Sequence, residues 1–446
     1  MSISSRYLSH FAALFIGLTV TSAAVLLDAT PALADDNLIY VDAINCSPGG
    51  NGTQSAPYCT ISHAASVVVA GKTVLVAAGT YPEKVTVPRS GTANEPIEFR
   101  AVDGASVVVT GGTNGFAISS RAYVRIIGFT ITNTTSRGIY VSGSNNIVLS
   151  GNTVTGAGTP VGGQVATGIY LSGTTDSIVT ANYTHHNSDT GIYLNASTSN
   201  TTVVGNHSSW NAREYQRSAN GINVIGPNNG VIGNVVHDNE DSGLQFYTGA
   251  SNVLAVNNVT YNNGDHGIDN LNVAGGRLIG NTVYRNCTSG INVEGTSSNF
   301  LLANNIAVDN AVYPAYNGIS CNRRRGNIGI YDSAPSTTTV DHNLVWLSTP
   351  GTMYYFNSAH SSLTAMQQAT GQEQHGIQDD PRFAAAGVGD LRLTTGSAAI
   401  DSADSGVSGA EAQDVMGNAR VDDPSVPDTG SGPRTYDDRG AYEFIP

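Results

Sequence analysis

Between residues 240 and 294 the chain concentrates side chains that move protons or hold cations. Asp241 and Asp265 each stand two residues before a glycine, in Asp241-Ser242-Gly243 and Asp265-His266-Gly267. Stacked one repeat apart, these two carboxylates would lie about 5 Å from each other, on the strand spacing of a parallel sheet. Carboxylates that close repel unless they share a proton or a cation. Glu240 adds a third acid, so Asp241, Asp265 and Glu240 are the expected Ca²⁺ ligands. Asp before Gly is also ordinary turn chemistry. His266 offers an imidazole, the side chain whose usual pKa suits acid–base work near neutrality. Asp269 and Glu294 fall one repeat apart and two residues out of register. That predicts carboxylates roughly 8 Å apart, with His266, Asp269 and Glu294 as the candidate proton-transfer groups.

The element that must position these groups is a repeat. An Asn recurs at Asn152, Asn182, Asn206, Asn234, Asn258, Asn281 and Asn305, with a second Asn commonly five residues on. The Gly that opens the next short apolar run falls at Gly138, Gly168, Gly191, Gly221, Gly243, Gly267, Gly290 and Gly318. A period near 23 residues, built from short β-branched runs, signals a solenoid. Each run is too short for a helix and rich in strand formers. Asn, Gly, Ser and Thr between the runs supply corner chemistry. The chain therefore reads as all-β, a right-handed parallel β-helix, with the Asn residues laddered at corners where they satisfy backbone groups. Asn206 and Asn258 start glycosylation sequons, but ladder positions face inward and are set aside as glycan sites.

In Gly-Ile-x-Val the Ile and Val point inward and x points outward. The x column reads Tyr140, Tyr170, Tyr193, Asn223, Gln245, Asp269, Asn292 and Ser320. Its first three members form an aromatic strip and the rest a polar one. Outward Tyr also suits any strand surface. An insertion carrying Arg213 and Arg217 is expected to overhang the strand of Asn223. Arg323-Arg324-Arg325 could meet an anionic chain, but reads first as a solvated loop. His185, His186, His207 and His237 follow ladder Asn residues and read as a surface cluster.

Around the repeats, residues 1–34 read as a secretory signal: Arg6, an apolar stretch, then Ala32-Leu33-Ala34. Residues 35–134 form an N-terminal cap and first coils, 135–345 the regular repeats, and 346–446 the last coils, an irregular cap and a tail. Thr60 N-caps an expected helix over 61–70 that plugs the open end. A second helix is expected within 361–376. No later segment is apolar enough to span a membrane. The formal net charge of −14 excludes nucleic acid as a natural partner. Four cysteines suit an oxidising compartment. Cys46 with Cys59 closes a small loop. Cys287 with Cys321 requires the loop between them to fold back. The other connectivities stay open.

The segment Tyr40-Val41-Asp42, Gly52-Thr53, Pro57, Thr60-Ile61 and Ala78-Gly79-Thr80-Tyr81-Pro82-Glu83 resembles the opening of secreted pectate-lyase-like right-handed β-helix proteins. The repeats resemble that superfamily's parallel β-helix repeat, and Gly440-Ala441-Tyr442-Glu443 is similar to the end of many bacterial members. The resemblance covers most of the chain and implies a secreted, monomeric protein acting on polysaccharide. The superfamily holds polysaccharide lyases, glycoside hydrolases, uronan epimerases and non-catalytic adhesins. A lyase on a uronic-acid polymer is the leading expectation, a hydrolase the second, a glycan-binding solenoid the third. Tyr140, Tyr170 and Tyr193 would stack on sugar rings, and Asn223, Gln245 and Asn292 would bind substrate. The resemblance implies Ca²⁺ with an Arg or Lys base. The only lysines are Lys72 and Lys84, so the base falls to Arg213, Arg217 or His266. The roughly 8 Å between Asp269 and Glu294 matches an inverting glycosidase pair. The net charge opposes a polyanionic substrate unless Ca²⁺ bridges it.

Overall fold

The structure is a computed structural model that describes residues 37–158, 166–212, 219–312, 315–316 and 319–446. The signal expected over 1–34 lies outside the described residues. The chain divides into two compact units at residues 215 and 216. Each is a stretch of parallel β-helix, right-handed as parallel crossovers are.

In the first unit, strands such as Arg137–Ser142, Ile169–Ser172 and Ile192–Leu194 pair in parallel, one per coil. Two further sheets complete each coil, for example Asn145–Ser150 on Ile178–Thr180 and Thr153–Thr155 on Tyr183–His185. Helix α1, Ile61–Val67, caps this unit. Thr60 accepts from the His63 amide at its N-terminus, as the sequence predicts. Ile61, Ala64 and Ala65 are its buried face.

In the second unit, the sheet that matters for chemistry runs Ile222–Val224, Leu244–Phe246, Ile268–Leu271, Ile291–Glu294, Ile328–Ile330 and Tyr354–Phe356. Leu244, Phe246, Ile268, Ile291 and Val293 fill the interior and are fully buried. Helix α2, Leu363–Thr370, has Ser362 as N-cap and Gly371 as a left-handed C-cap.

The corners explain the repeat. The residue before each second-ladder Asn takes a left-handed bend, at His186, Trp210, Asp238, Asn262, Arg285 and Asp309. The Asn that follows then faces inward. Asn263 Nδ2 donates to Val236 O at 3.1 Å and to Asn286 Oδ1 at 3.0 Å. Its own Oδ1 accepts from Asn239 N at 3.2 Å and Asn239 Nδ2 at 3.1 Å. Every polar atom of the amide is engaged, which is what a buried amide requires. The ladder also dictates the strand glycines. A Cβ on Gly267 would sit 2.7 Å from Asn286 Nδ2 and 2.6 Å from Gly290 O. Asn206 and Asn258 are buried ladder members, so neither sequon is presented to solvent.

The other Asn ladder of the second unit ends on an acid. Asn305 is followed by Asn343, whose Nδ2 donates to Glu373 Oε1 at 2.9 Å. The acidic tail does not hang free. It packs on the outer face of the sheet that holds Val259, Tyr284, Ile306 and Val308, bringing Leu391, Leu393, Ile400, Ala441 and Tyr442 into one apolar cluster. Arg439 is buried within it and donates to Ser402 O, Asn343 O and His375 O. No helix among the described residues is long and apolar enough to cross a membrane.

Candidate functional site

Strand register places the polar column as the repeat predicts, with Asn223 beside Gln245, Gln245 beside Asp269, and Asp269 beside Asn292. The side chains form a hydrogen-bonded row. Asn220 and Asn223 each donate to Gln245 Oε1, at 3.0 and 3.1 Å. Gln245 Nε2 donates to Asp269 Oδ2 at 3.1 Å, and Asn292 Nδ2 to Asp269 Oδ1 at 2.7 Å. Two amides therefore fix the Asp269 carboxylate from both sides. Asn292 is fully buried rather than exposed. The column then continues to Gly329, not Ser320. Ile319–Ser320 instead pairs antiparallel with Ala315–Tyr316 in a hairpin outside the coils. The strand that does continue the column opens on Asn327-Ile328, with Asn in the Gly position, so the Gly-Ile pattern points to residue 318 instead.

Glu294 lies one strand from Asp269, in register with Leu271. One oxygen of Asp269, one of Glu294 and a ring nitrogen of His266 all lie within 4.8 Å of one another. The carboxylates are thus closer than the roughly 8 Å expected, because side chains two residues out of register lean toward each other across the strands. That is too tight for the inverting arrangement, in which the carboxyl groups stand about 6.5–9.5 Å apart. All three residues are buried, His266 at 1 % exposure. Burial raises the Glu294 carboxyl above its usual range, with Asp269 adding to the rise and His266 and Arg324 opposing it. His266 Nδ1 meets Thr288 Oγ1 at 2.8 Å, while its Nε2 is buried with no hydrogen-bond partner.

The arginine loop is the largest departure from the sequence reading. Arg323 is ion-paired with Asp265, and Arg324 Nε lies 2.7 Å from Glu294 Oε2, outside good hydrogen-bond alignment. Arg324 also reaches Asp332 at 3.3 Å and rests over the Tyr331 ring. These two arginines are paired with the acids rather than solvated. What holds them is the Cys287–Cys321 disulfide, with Cα atoms 4.9 Å apart. The loop does fold back, with Ala315–Tyr316 paired antiparallel to Ile319–Ser320. Cys46–Cys59 also forms, so the connectivity is settled.

The expected Ca²⁺ ligands are only partly gathered. Asp265 N donates to Asp241 O at 3.3 Å, which confirms that the two are stacked. Asp265 is already balanced by Arg323 and also accepts from Thr288 Oγ1 at 2.5 Å. Glu240 Oε2 accepts the Ala219 amide at 3.1 Å. Burial, with Asp269 and Glu240 nearby, pushes Asp241 up to about 6. As arranged, Asp241, Asp265 and Glu240 do not form an all-oxygen cage. On this face the group that converges within metal-binding distance is His266, Asp269 and Glu294, a mixed nitrogen and oxygen set of the kind transition metals prefer.

Arg213 and Arg217 lie outside the described residues. In the first unit, Tyr140, Tyr170 and Tyr193 do stack, with centroids 5.9 and 5.0 Å apart. The Arg137 guanidinium lies 4.4 Å from the Tyr170 ring centre. The corner histidines join aromatic stacks: His207 on Tyr183 and His186 on Trp210 in the first unit, His237 on Tyr261 in the second.

Two family models match the chain: "Pel9A-like, right handed beta helix region" over residues 39–163, and "Right handed beta helix region" over 198–365. The chain is similar to the crystal structure of pectate lyase Pel9A, with TM-score 0.56 and 18 % identity, over 92 % of this chain and 97 % of that one. It is also similar to a rhamnogalacturonan lyase structure, with TM-score 0.50 and 16 % identity, over 78 % of this chain and 90 % of that one. The uncharacterized protein YwoF of Bacillus subtilis (strain 168) is 34 % identical over 135 residues, spanning 26 % of this chain and 29 % of that relative. On the coils, their register and these matches, the chain is a right-handed parallel β-helix protein, similar in fold to the pectate-lyase-like superfamily.

Proposed function

We propose that this is a secreted carbohydrate-active enzyme, a lyase that cleaves a uronic-acid-containing polysaccharide by β-elimination. The observation that carries the reading is the buried His266–Asp269–Glu294 cluster lying under Arg323 and Arg324. Elimination from a uronate needs three things: charge balance at the carboxylate, removal of the proton on C5, and a proton for the departing oxygen on C4. Arg323 and Arg324 supply the positive field. His266 Nε2, free of any hydrogen bond, takes the C5 proton. The C4–O bond then breaks, leaving a C4–C5 double bond, and Glu294, whose carboxyl burial raises above its usual range, returns a proton to the leaving oxygen. Asp269, clamped by Gln245 and Asn292, orients the cluster. Substrate entry displaces the Arg324 guanidinium from Glu294. The lyase titles of the two similar structures support the same class.

Arg213 and Arg217 remain candidate bases, tested by alanine variants. A Ca²⁺ ion at Asp241, Asp265 and Glu240 would have to displace Arg323 from Asp265. Tyr140, Tyr170 and Tyr193 are proposed as a platform for sugar rings. Hydrolysis is the second reading, favoured by the closeness of Asp269 and Glu294, which approaches a retaining pair. A panel of uronate polymers and neutral glycans separates the two. The lyase gives an ultraviolet-absorbing unsaturated product with each new reducing end. Reducing ends without that chromophore would mean hydrolysis, and binding without either product would mean a glycan-binding solenoid.

A further inference from the structure

The tail holds a second convergence of acids, distant in sequence from the cluster above. Asp401 sits in a left-handed bend with φ of 50°. Its backbone is held on both sides. The amide donates to Asp438 Oδ1 at 2.8 Å, and the carbonyl accepts from Thr429 N at 2.8 Å and Gly430 N at 3.1 Å. Its carboxylate is treated differently. Asp401 is 0 % exposed, and both Oδ1 and Oδ2 are buried with no hydrogen-bond partner. Asp422 and Asp428 each bring a carboxylate oxygen into the same space, all three within 4.8 Å of one another.

A buried carboxylate with no partner costs several kcal/mol, on the order of the polar-burial penalty. Two more acids facing it add repulsion. The nearby arginines do not answer this charge. Arg420 pairs with Glu443, Arg434 with Asp437, and Arg439 donates to main-chain carbonyls. The fully buried Asp401 carboxylate, which no side chain pairs and only the Asp423 main chain approaches, is what separates this group from an ordinary exposed acidic patch. It supplies a fixed donor at the floor of the site, while Asp422 and Asp428 close over it from an exposed, proline-bearing loop.

We propose that Asp401, Asp422 and Asp428 bind a Ca²⁺ ion that fastens the tail onto the coils. The donor set is all hard oxygen, which selects Ca²⁺ over zinc or copper. One rigid and two loop-borne carboxylates allow the irregular, water-completed shell that Ca²⁺ accepts and Mg²⁺ does not. The ion ties the loop at 422–428 to the segment that leads into Ser402 and Ala403, whose amides both donate to Asp437 O. That segment also carries Asp404, which exchanges hydrogen bonds with Asn304 of the coils. The role is structural and independent of the chemistry at His266.

The test uses the full chain, stripped with chelator and then titrated with CaCl₂ alone or MgCl₂ alone. Heat of binding and thermal midpoint are read for wild type, Asp401→Asn, and the exposed double variant Asp422→Ala/Asp428→Ala. Ca²⁺ should raise the wild-type midpoint by several degrees, and both variants should lose that rise together with one bound ion. In chelator, Asp401→Asn should melt no lower than wild type, because it removes an unpaired buried charge. The double variant should keep wild-type turnover, which distinguishes this site from any ion at Asp241 and Asp265. No Ca²⁺ response in wild type, or an unchanged response in the double variant, overturns the proposal. An equal response to Mg²⁺ overturns the choice of ion.

Discussion

At the residue scale, the chemistry rests on how three buried groups are set apart by their neighbours. Asp269 is clamped by two amides, His266 keeps one nitrogen unbonded, and Glu294 is lifted by burial but drawn back by Arg324. Glu294→Gln and His266→Ala should each lower kcat by about 10²–10⁴-fold, the usual size of a lost proton-transfer group, and Asp269→Asn should lower it by misplacing the cluster, because both clamping amides donate to the carboxylate. Arg324→Ala makes a finer prediction. A proton-donating Glu294 works below its pKa, and removing the neighbouring cation raises that pKa further. The alkaline limb of the pH–rate profile should therefore move to higher pH, while KM for a uronate polymer rises. A limb that stays in place would remove Glu294 as the acid. Most of this site was legible in the sequence, since the column fixes Asn223, Gln245, Asp269 and Asn292. The arginines were not, because their place depends on a loop and a disulfide that follow no period. The short distance between Asp269 and Glu294 was also missed, since register gives the backbone and not the lean of a side chain.

At the element scale, the corner and its Asn ladder set the coil. Asn263→Ala would take the acceptor from Asn239 N and the side-chain donor from Val236 O inside the protein, while Asn286 Oδ1 keeps the Asn263 main-chain N–H. The cost should be about 2 kcal/mol or more, at ~1 kcal/mol or more for each buried group left unpaired. Asn252→Gly, in an exposed Asn pair on the same unit with a left-handed φ of 51° that glycine adopts freely, should stay within about 0.5 kcal/mol. Denaturant unfolding of both variants makes the comparison. The ladder's end has a pH signature. Burial pushes Glu373 up to about 7, with the Asn343 amides and Arg439 opposing the rise and Asp341 adding to it. A carboxyl raised on folding gives stability that is full below its ordinary value near 4.5 and lost as pH rises through about 7. The thermal midpoint of wild type should fall over that window, and Glu373→Leu should flatten the fall even if it lowers the midpoint. The ladder was readable because identical residues recur. Its terminator was not, because Glu373 occurs once.

At the scale of the molecule, each unit is held by features that lie outside the repeats. The second depends on its tail, and Arg439 is the peg, donating to three main-chain carbonyls from a buried position. Arg439→Ala should cost about 3 kcal/mol or more, and removal of residues 397–446 should expose the apolar strip at Val259, Tyr284, Ile306 and Val308 and cause aggregation. The sequence marked this segment as acidic and turn-rich but not as a cover, because its apolar residues follow neither helical nor strand periodicity. The central claim is that the His266–Asp269–Glu294 cluster under Arg323 and Arg324 performs β-elimination. The most direct measurement follows ultraviolet absorbance and reducing ends together on a uronate polymer panel, for wild type and His266→Ala. The account predicts an unsaturated product formed one for one with reducing ends in wild type and lost in the variant. Reducing ends without unsaturation, or an undiminished unsaturated product in His266→Ala, would contradict it.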